Sequence, residues 1–332
     1  MFTGPWSCAA PVIPSGAIPA VTSTGFHVSR FFLTPAGNLA ILAALAACLS
    51  TALGGTAFVA MRFLVTEAEP VTVAFLRNVI AAFILTGIAL VIIRRWPSPR
   101  ELLIMGFMGA VFFGGLQFIF ANALTFTTAS RGALAYMTAP FMTLLIAAAF
   151  GIERPTRHKL AGIVLATLGV VVALGQGTGA PPDSWIGDGL ILVGALITAI
   201  YGVWSNRWLR RHPPLVAVVC GVVPGSTFLY VVAMATDAPA FTPELSRAGW
   251  IAIAYLGIGA AAISYTLWLW ALRHTTPTLV AVALPVNPLM ALIWGALLLG
   301  EQITLAILVG FALVIAGIAV ANWPRRDAAA AI

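Results

Sequence analysis

Apolar residues run along this chain in blocks of about twenty, separated by short connections that carry most of the charge. A bilayer-spanning helix needs ~20 predominantly apolar residues. The blocks predict ten such helices: Leu39 to Met61, Val71 to Ile93, Leu102 to Leu124, Ala129 to Phe150, His158 to Leu174, Gly187 to Asn206, Leu215 to Met234, Gly249 to Leu272, Pro277 to Leu299 and Ile303 to Asn322. The pattern therefore predicts an all-α membrane protein.

The blocks also repeat. Thr127 to Ala173 aligns without a gap with Thr275 to Ala321, at a shift of 148 residues and with about a third of positions identical. The pairs include Pro140 with Pro288, Met142 with Met290, Glu153 with Glu301, Thr156 with Thr304, Gly162 with Gly310 and Gly169 with Gly317. Five spans per half is an odd number, so the second copy enters the membrane from the opposite face. The expected fold is ten transmembrane helices as two inverted five-helix repeats, residues 37–175 and 187–323, with the binding site near the bilayer midplane between them. Glu153 is then expected to face the cytoplasm and Glu301 the outside.

Composition leads to the same class: 61% hydrophobic and 8% charged residues, with a mean hydropathy of +1.03, against about 25% charged in soluble proteins. The net charge of +7 reflects topology. Thirteen of the 17 Lys and Arg residues fall at the termini or in the connections after spans two, four, six and eight. By the positive-inside rule both termini are expected in the cytoplasm. With no basic soluble domain, nucleic acid is excluded as a partner. Residues 1–36, with five prolines and no positively charged start, read as a disordered cytoplasmic tail and a poor signal peptide, and residues 324–332 as a second cytoplasmic tail. Cys8, Cys48 and Cys220 have no metal or redox spacing.

The stretch Gly55-Thr56-Ala57-Phe58-Val59-Ala60, then Pro70, then Ala74-Phe75-Leu76-Arg77, resembles the opening of an EamA-type repeat of the drug/metabolite transporter superfamily. In each half a mid-span Pro (Pro140, Pro288) is followed thirteen positions later by Glu (Glu153, Glu301) and then by Gly-rich helices, which is similar to that repeat's signature. The second half, from Tyr265 through Leu299-Gly300-Glu301 to Gly317, matches best. Gly54 stands where the family often has Trp, and Gly151-Ile152-Glu153 where Leu-Gly-Glu is usual. The resemblance covers about Leu39 to Trp323. It implies a ten-helix carrier of small organic metabolites, commonly an exporter, in a cell membrane such as a bacterial inner membrane.

Arg77 is the one formally charged side chain well inside a predicted span, a placement costing at least ~2.5–3.5 kcal/mol at a helix centre. It reads either as an anchor that snorkels outward or as a substrate or gating contact. Asn287, beside Pro288, lies near the midplane where prolines free backbone carbonyls. It is the leading substrate contact, with a helix-to-helix hydrogen bond as the plain alternative. Tyr201 with Trp204, and Tyr265 with Trp268, share helix faces at three-residue spacing. With Tyr136, Gln117 and Asn122 they complete the expected substrate-binding set, a neutral cavity with aromatic walls. Glu153 and Glu301 sit at span junctions three residues before Thr156 and Thr304, where capping the next helix outweighs proton coupling. His27, His158, His212 and His274 fall in cytoplasmic regions, so no metal site is expected.

These features predict a secondary carrier of amino acids, aromatic or apolar ones favoured, or related drug-like compounds by alternating access. A nucleoside or organic-cation exporter of the same superfamily is the alternative. A non-transporting scaffold or sensor is a third reading. Absence of a nucleophile, metal cluster or phosphate-binding loop argues against an enzyme, a cofactor or direct energising by ATP. The small organic solute and the bilayer are the expected partners, with protons and a second copy of the chain open.

Overall fold

Proline and small capping residues set where the helices begin. The computed structural model describes residues 35–152, 156–175, 181–209, 211–238, 243–274 and 283–321, and all regular structure among them is helical. The helices are α1 (Pro35–Leu64), α2 (Pro70–Ile92), α3 (Pro99–Phe126), α4 (Ala129–Ala149), α5 (Arg157–Gly175), α6 (Ser184–Leu209), α7 (Pro214–Ala235), α8 (Arg247–Ala254, Tyr255–Ile263 and Ser264–His274 in succession), α9 (Val286–Leu299) and α10 (Leu305–Ala321). Pro70, Pro99 and Pro214 each open a helix, where the missing N–H is not needed. Ser98 and Glu101 form a reciprocal cap on α3. Ser246, the repeat equivalent of Ser98, caps α8 by accepting from the Gly249 amide. Gly249 stands where α3 has Glu101, and Glu67, from the α1–α2 connection, supplies the carboxylate instead. It accepts from the Ser246 amide at 3.1 Å and hydroxyl at 2.7 Å.

Among the described helices, α1 to α8 are long and apolar enough to cross a bilayer, while α9 and α10 are shorter apolar helices of 14 and 17 residues. Phe83, Val91, Leu103, Phe107, Leu297 and Leu305 stand exposed on their outer faces. Such broad apolar exposure on long helices belongs to a multi-pass membrane protein.

The sequence placed a ninth span over Pro277 to Leu299 with Pro288 in its middle, freeing backbone carbonyls there. Residues 275–282 lie outside the described residues, and the described helix opens only at Val286. Pro285 is its N-cap and Pro288 sits in its first turn, so the prolines start this helix rather than kink it. Pro140 acts alike. The chain turns at Met137 and Thr138 and resumes helix at Ala139, splitting α4 into Ala129–Tyr136 and Ala139–Ala149. Helices α3 and α8 each carry a wide π-helical segment, Ala110–Gly115 and Tyr255–Ile263. Shifted by 148 residues, the first falls on 258–263, inside the second.

The last helices of the two halves meet face to face. A Cβ added to Gly169 would stand 2.6 Å from the Gly310 carbonyl oxygen, and one on Gly162 would stand 2.5 Å from that of Gly317. Contacts running up α5 run down α10, so the pair is antiparallel. The repeat pairs Gly162 with Gly310 and Gly169 with Gly317, so exchanging the halves maps each contact onto the other. This is the signature of a local pseudo-two-fold axis perpendicular to the helices. Only glycine allows backbones this close.

Polar bonds gather where the α1–α2 and α3–α4 connections meet the end of α5, the starts of α6 and α8, and the α9–α10 connection. Arg62 donates to the Leu124 and Thr125 carbonyls at the end of α3. Arg131 and Asp188 form a buried ion pair at 2.5 Å. Asp188 also accepts from the Thr127 hydroxyl at 2.7 Å, and Arg131 also donates to the Leu174 carbonyl at 2.9 Å.

Glu301 belongs to this cluster. Gly300 adopts a left-handed conformation, φ 67°, that ends α9. Beyond it the Glu301 carboxylate accepts from the amides of Ala129 and Ser130 at 2.6 and 3.0 Å and from the Ser130 hydroxyl at 2.6 Å. It therefore caps α4, not the following helix as the sequence led us to expect. Thr304 caps α10 by accepting from the Ile307 amide, so that helix has no need of the carboxylate. Glu153 lies outside the described residues, as do residues 1–34 and 322–332, which hold almost all of both expected tails.

Candidate functional site

A cavity of about 240 Å³ lies among α1, α2, α3, α4, α8 and α9. The π-helical turns of α3 and α8, the break in α4 after Tyr136 and the proline-opened start of α9 border it, because irregular backbone inside a membrane protein needs a protein-lined or polar space. Its polar groups are Ser50, Thr51, Arg77, Gln117, Tyr136, Ser264, Tyr265 and Asn287, and Phe58, Phe112, Phe120 and Trp268 contribute aromatic wall. Phe120 meets Tyr136 edge-on, ring centroids 5.1 Å apart, and Phe58 tilts against both. These ring arrangements bury apolar faces while leaving the Tyr136 hydroxyl able to bond Thr198 at 3.2 Å.

Some polar groups in the cavity are already occupied. Ser50 and Ser264 bond each other and each other's carbonyls, joining α1 to α8. Thr51 donates to the Ala283 carbonyl. Others are not. Arg77, 7% exposed, donates from one Nη to the Gln117 Oε1, while its Nε has no partner. The Asn287 Oδ1 is also unpartnered. Asn287 reaches the cavity because Gly54 and Gly55 let α1 approach α9. A Cβ on Gly54 would meet the Asn287 Nδ2 at 2.9 Å, and one on Gly55 would overlap the Asn287 carbonyl.

The structure divides the residues that sequence grouped together. Arg77, Gln117, Tyr136, Tyr265, Trp268 and Asn287 line the one cavity. Asn122 does not; its amide donates to the Phe118 carbonyl on its own helix. Tyr201 and Trp204 line a separate groove of about 710 Å³ between α3 and α6, with Arg100 and Arg211 at its end. Phe112 borders both spaces and stacks on Tyr201, centroids 4.1 Å apart. Asn78, beside Arg77, donates instead to the Phe113 carbonyl at 2.5 Å and fastens α2 to the π-helical turn of α3. Sequence reasoning passed over Phe112, Ser130 and Asp188. The repeat gave no signal for Ser130, which it pairs with Thr278, nor for Phe112, which precedes its aligned segment.

Among the described residues no group of three His, Cys, Asp or Glu side chains is placed to hold a metal. The model of the EamA-like transporter family matches twice, over residues 39–175 and 185–323. This chain belongs to that family. The two matches cover both halves and make the chain a membrane transporter of the drug/metabolite type. It is 28% identical to an uncharacterized transporter of Archaeoglobus fulgidus over 80% of this chain and 92% of the relative. It is also 28% identical to a probable amino-acid metabolite efflux pump of Salmonella typhimurium, over 80% of this chain and 89% of the pump. Identity is 27% to a probable terminal-alkyne amino-acid exporter of Streptantibioticus cattleyicolor, over 69% of this chain and 75% of the exporter. A solved protein crystal structure shares the fold at a TM-score of 0.59 and 22% identity, covering 82% of this chain and 98% of its own.

Proposed function

We propose that this EamA-like transporter exports small, partly apolar organic solutes, amino acids and their analogues foremost, by alternating access between two inverted five-helix repeats. The observation that carries this reading is the single cavity built from both halves, α1 to α4 from one and α8 and α9 from the other. Its mixed lining of aromatic faces and a few convergent polar groups suits a small amphipathic organic molecule. Relatives named for amino-acid efflux and export support that substrate class. The antiparallel contact of α5 with α10 supports the inversion, with all ten helices spanning and an axis in the membrane plane.

The end cross-linked by Arg62, Arg131, Asp188 and Glu301 is the outer one, by the positive-inside distribution of Lys and Arg, and both termini lie in the cytoplasm. In this arrangement the outer path is shut. The stacked Phe112 and Tyr201 separate the cavity from the groove that opens toward Arg100 and Arg211 on the cytoplasmic side. Asn287 and Tyr136 offer hydrogen bonds to solute polar groups, and Tyr265 and Trp268 offer faces. The described lining residues include no Asp, Glu or His, so the cavity itself has no group to exchange a proton near neutral pH.

The test is efflux of labelled amino acids, nucleosides and organic cations from proteoliposomes, with and without a pH gradient. We expect saturable amino-acid efflux, reduced at least about tenfold by Asn287→Ala and unchanged in driving force by the gradient. Efflux equal to that of empty liposomes from folded protein refutes the transport reading, and accumulation driven by the pH gradient refutes the uncoupled one.

A further inference from the structure

Arg77 holds a full positive charge in the middle of the molecule with no opposite charge paired to it among the described residues. It is more than nine-tenths buried, and its one side-chain partner is the neutral oxygen of Gln117. Its Nε is buried with no partner. Guanidinium has five N–H donors and stays charged in proteins. A buried charge is ordinarily paired with an opposite one. Elsewhere in this chain it is: Arg131, also buried and also with an unpartnered Nε, pairs with Asp188, so what sets Arg77 apart is the missing counter-charge. Among the described residues no carboxylate pairs with Arg77, and none lines its cavity.

Anchoring does not account for this. Arg62, one helix away, fastens its guanidinium to the two carbonyls that end α3, whereas Arg77 lines the cavity and bonds a single neutral side chain. Resting on the transport reading above, we infer that Arg77 is the carboxylate-recognition residue of the cavity, and that the transported solutes are small monocarboxylates, anionic or zwitterionic, with a compact apolar body. Arg77 and the Gln117 side-chain amide, which keeps its N–H donors, form the anion end. The apolar body lies against Phe58, Phe120 and Trp268 across 240 Å³. Planar guanidinium suits a carboxylate through two parallel hydrogen bonds. Organic cations are rejected, because the same positive charge in a water-poor space repels them and no acidic group compensates.

The experiment compares 3-phenylpropionate, L-phenylalanine and 2-phenylethylamine, which share a ring and a two-carbon spacer and differ in charge. Apparent Kd is read from the shift in thermal unfolding of the purified full-length chain in detergent, for wild type, Arg77→Lys and Arg77→Gln. Both carboxylates are expected to stabilise the wild type and the amine to give no shift. Arg77→Gln is expected to weaken both carboxylates at least about tenfold, since hydrogen bonds to charged groups contribute most, with Arg77→Lys intermediate. Without ligand, Arg77→Gln is expected to unfold at the wild-type temperature or above, because an uncompensated buried charge has been removed. The inference is overturned if the amine binds as tightly as the acids, if neither acid binds, or if Arg77→Gln lowers the unliganded unfolding temperature and leaves the acids' Kd unchanged. Carboxylate binding that depends on Arg77 without any proteoliposome flux upholds this assignment and refutes transport instead.

Discussion

Gly169→Val is expected to destabilise the protein by about 1–3 kcal/mol, the range for overpacking a close-packed contact. The new Cβ would stand 2.6 Å from the Gly310 carbonyl oxygen and 2.9 Å from the Leu313 Cβ. Neither backbone can yield without parting α5 from α10. Interfaces of this kind depend on backbone approach rather than on water exclusion, since lipid tails are as apolar as the side chains they replace. The pseudo-two-fold adds a sharper expectation. Gly317 is the repeat partner of Gly169, and its own Cβ would stand 2.7 Å from the Gly162 carbonyl oxygen. Gly317→Val is therefore expected to cost about as much as Gly169→Val. Gly87→Ala serves as control, because a Cβ there meets nothing within 4 Å. Unfolding titrations in mixed micelles of all three variants check this. A loss from Gly169→Val no larger than that from Gly87→Ala would show that α5 and α10 do not pack this closely.

Breaking the Arg131–Asp188 pair from one side is expected to cost more, roughly 3–5 kcal/mol, the range for stranding a buried charge. Arg131→Met leaves Asp188, 5% exposed, with the Thr127 hydroxyl as its remaining partner. Asp188→Leu strands Arg131 against the carbonyls that end α5. The double variant removes both charges, and apolar replacement of a whole buried pair is often neutral. It is thus expected to be more stable than either single variant. A double-mutant cycle measured by the same unfolding titration decides between a coupled pair and two independent contacts, since independent contacts would give additive losses.

Much of this fold was legible because the bilayer imposes one rule on every span. Block length located the helices, and the 148-residue shift related the halves. Helical period was also informative, but only about relative facing. Tyr201 and Trp204 do share a face, and so do Tyr265 and Trp268, yet one face turns to the groove and the other to the cavity. Spacing along a helix fixes which residues point together, while packing of neighbours decides toward what. The same limit applies to Glu301. A carboxylate before a helix reads as that helix's cap, but the helix start it meets lies 172 residues earlier in the chain. Such a partner is brought near only by the assembled halves. Asp188 and Phe112 were missed for this reason too. Prolines marked the irregular places in α4 and α9, and the structure uses them to begin helical segments rather than to bend continuous ones.

Solute is proposed to cross by way of one cavity opened alternately to each face. Counterflow tests it most directly: proteoliposomes preloaded with unlabelled L-phenylalanine are diluted into a trace of labelled L-phenylalanine. The expected result is transient, saturable uptake above equilibrium that is stimulated by internal substrate and lost in Asn287→Ala. Uptake that rises linearly with concentration and ignores internal substrate would describe a pore or a leak, and would contradict it.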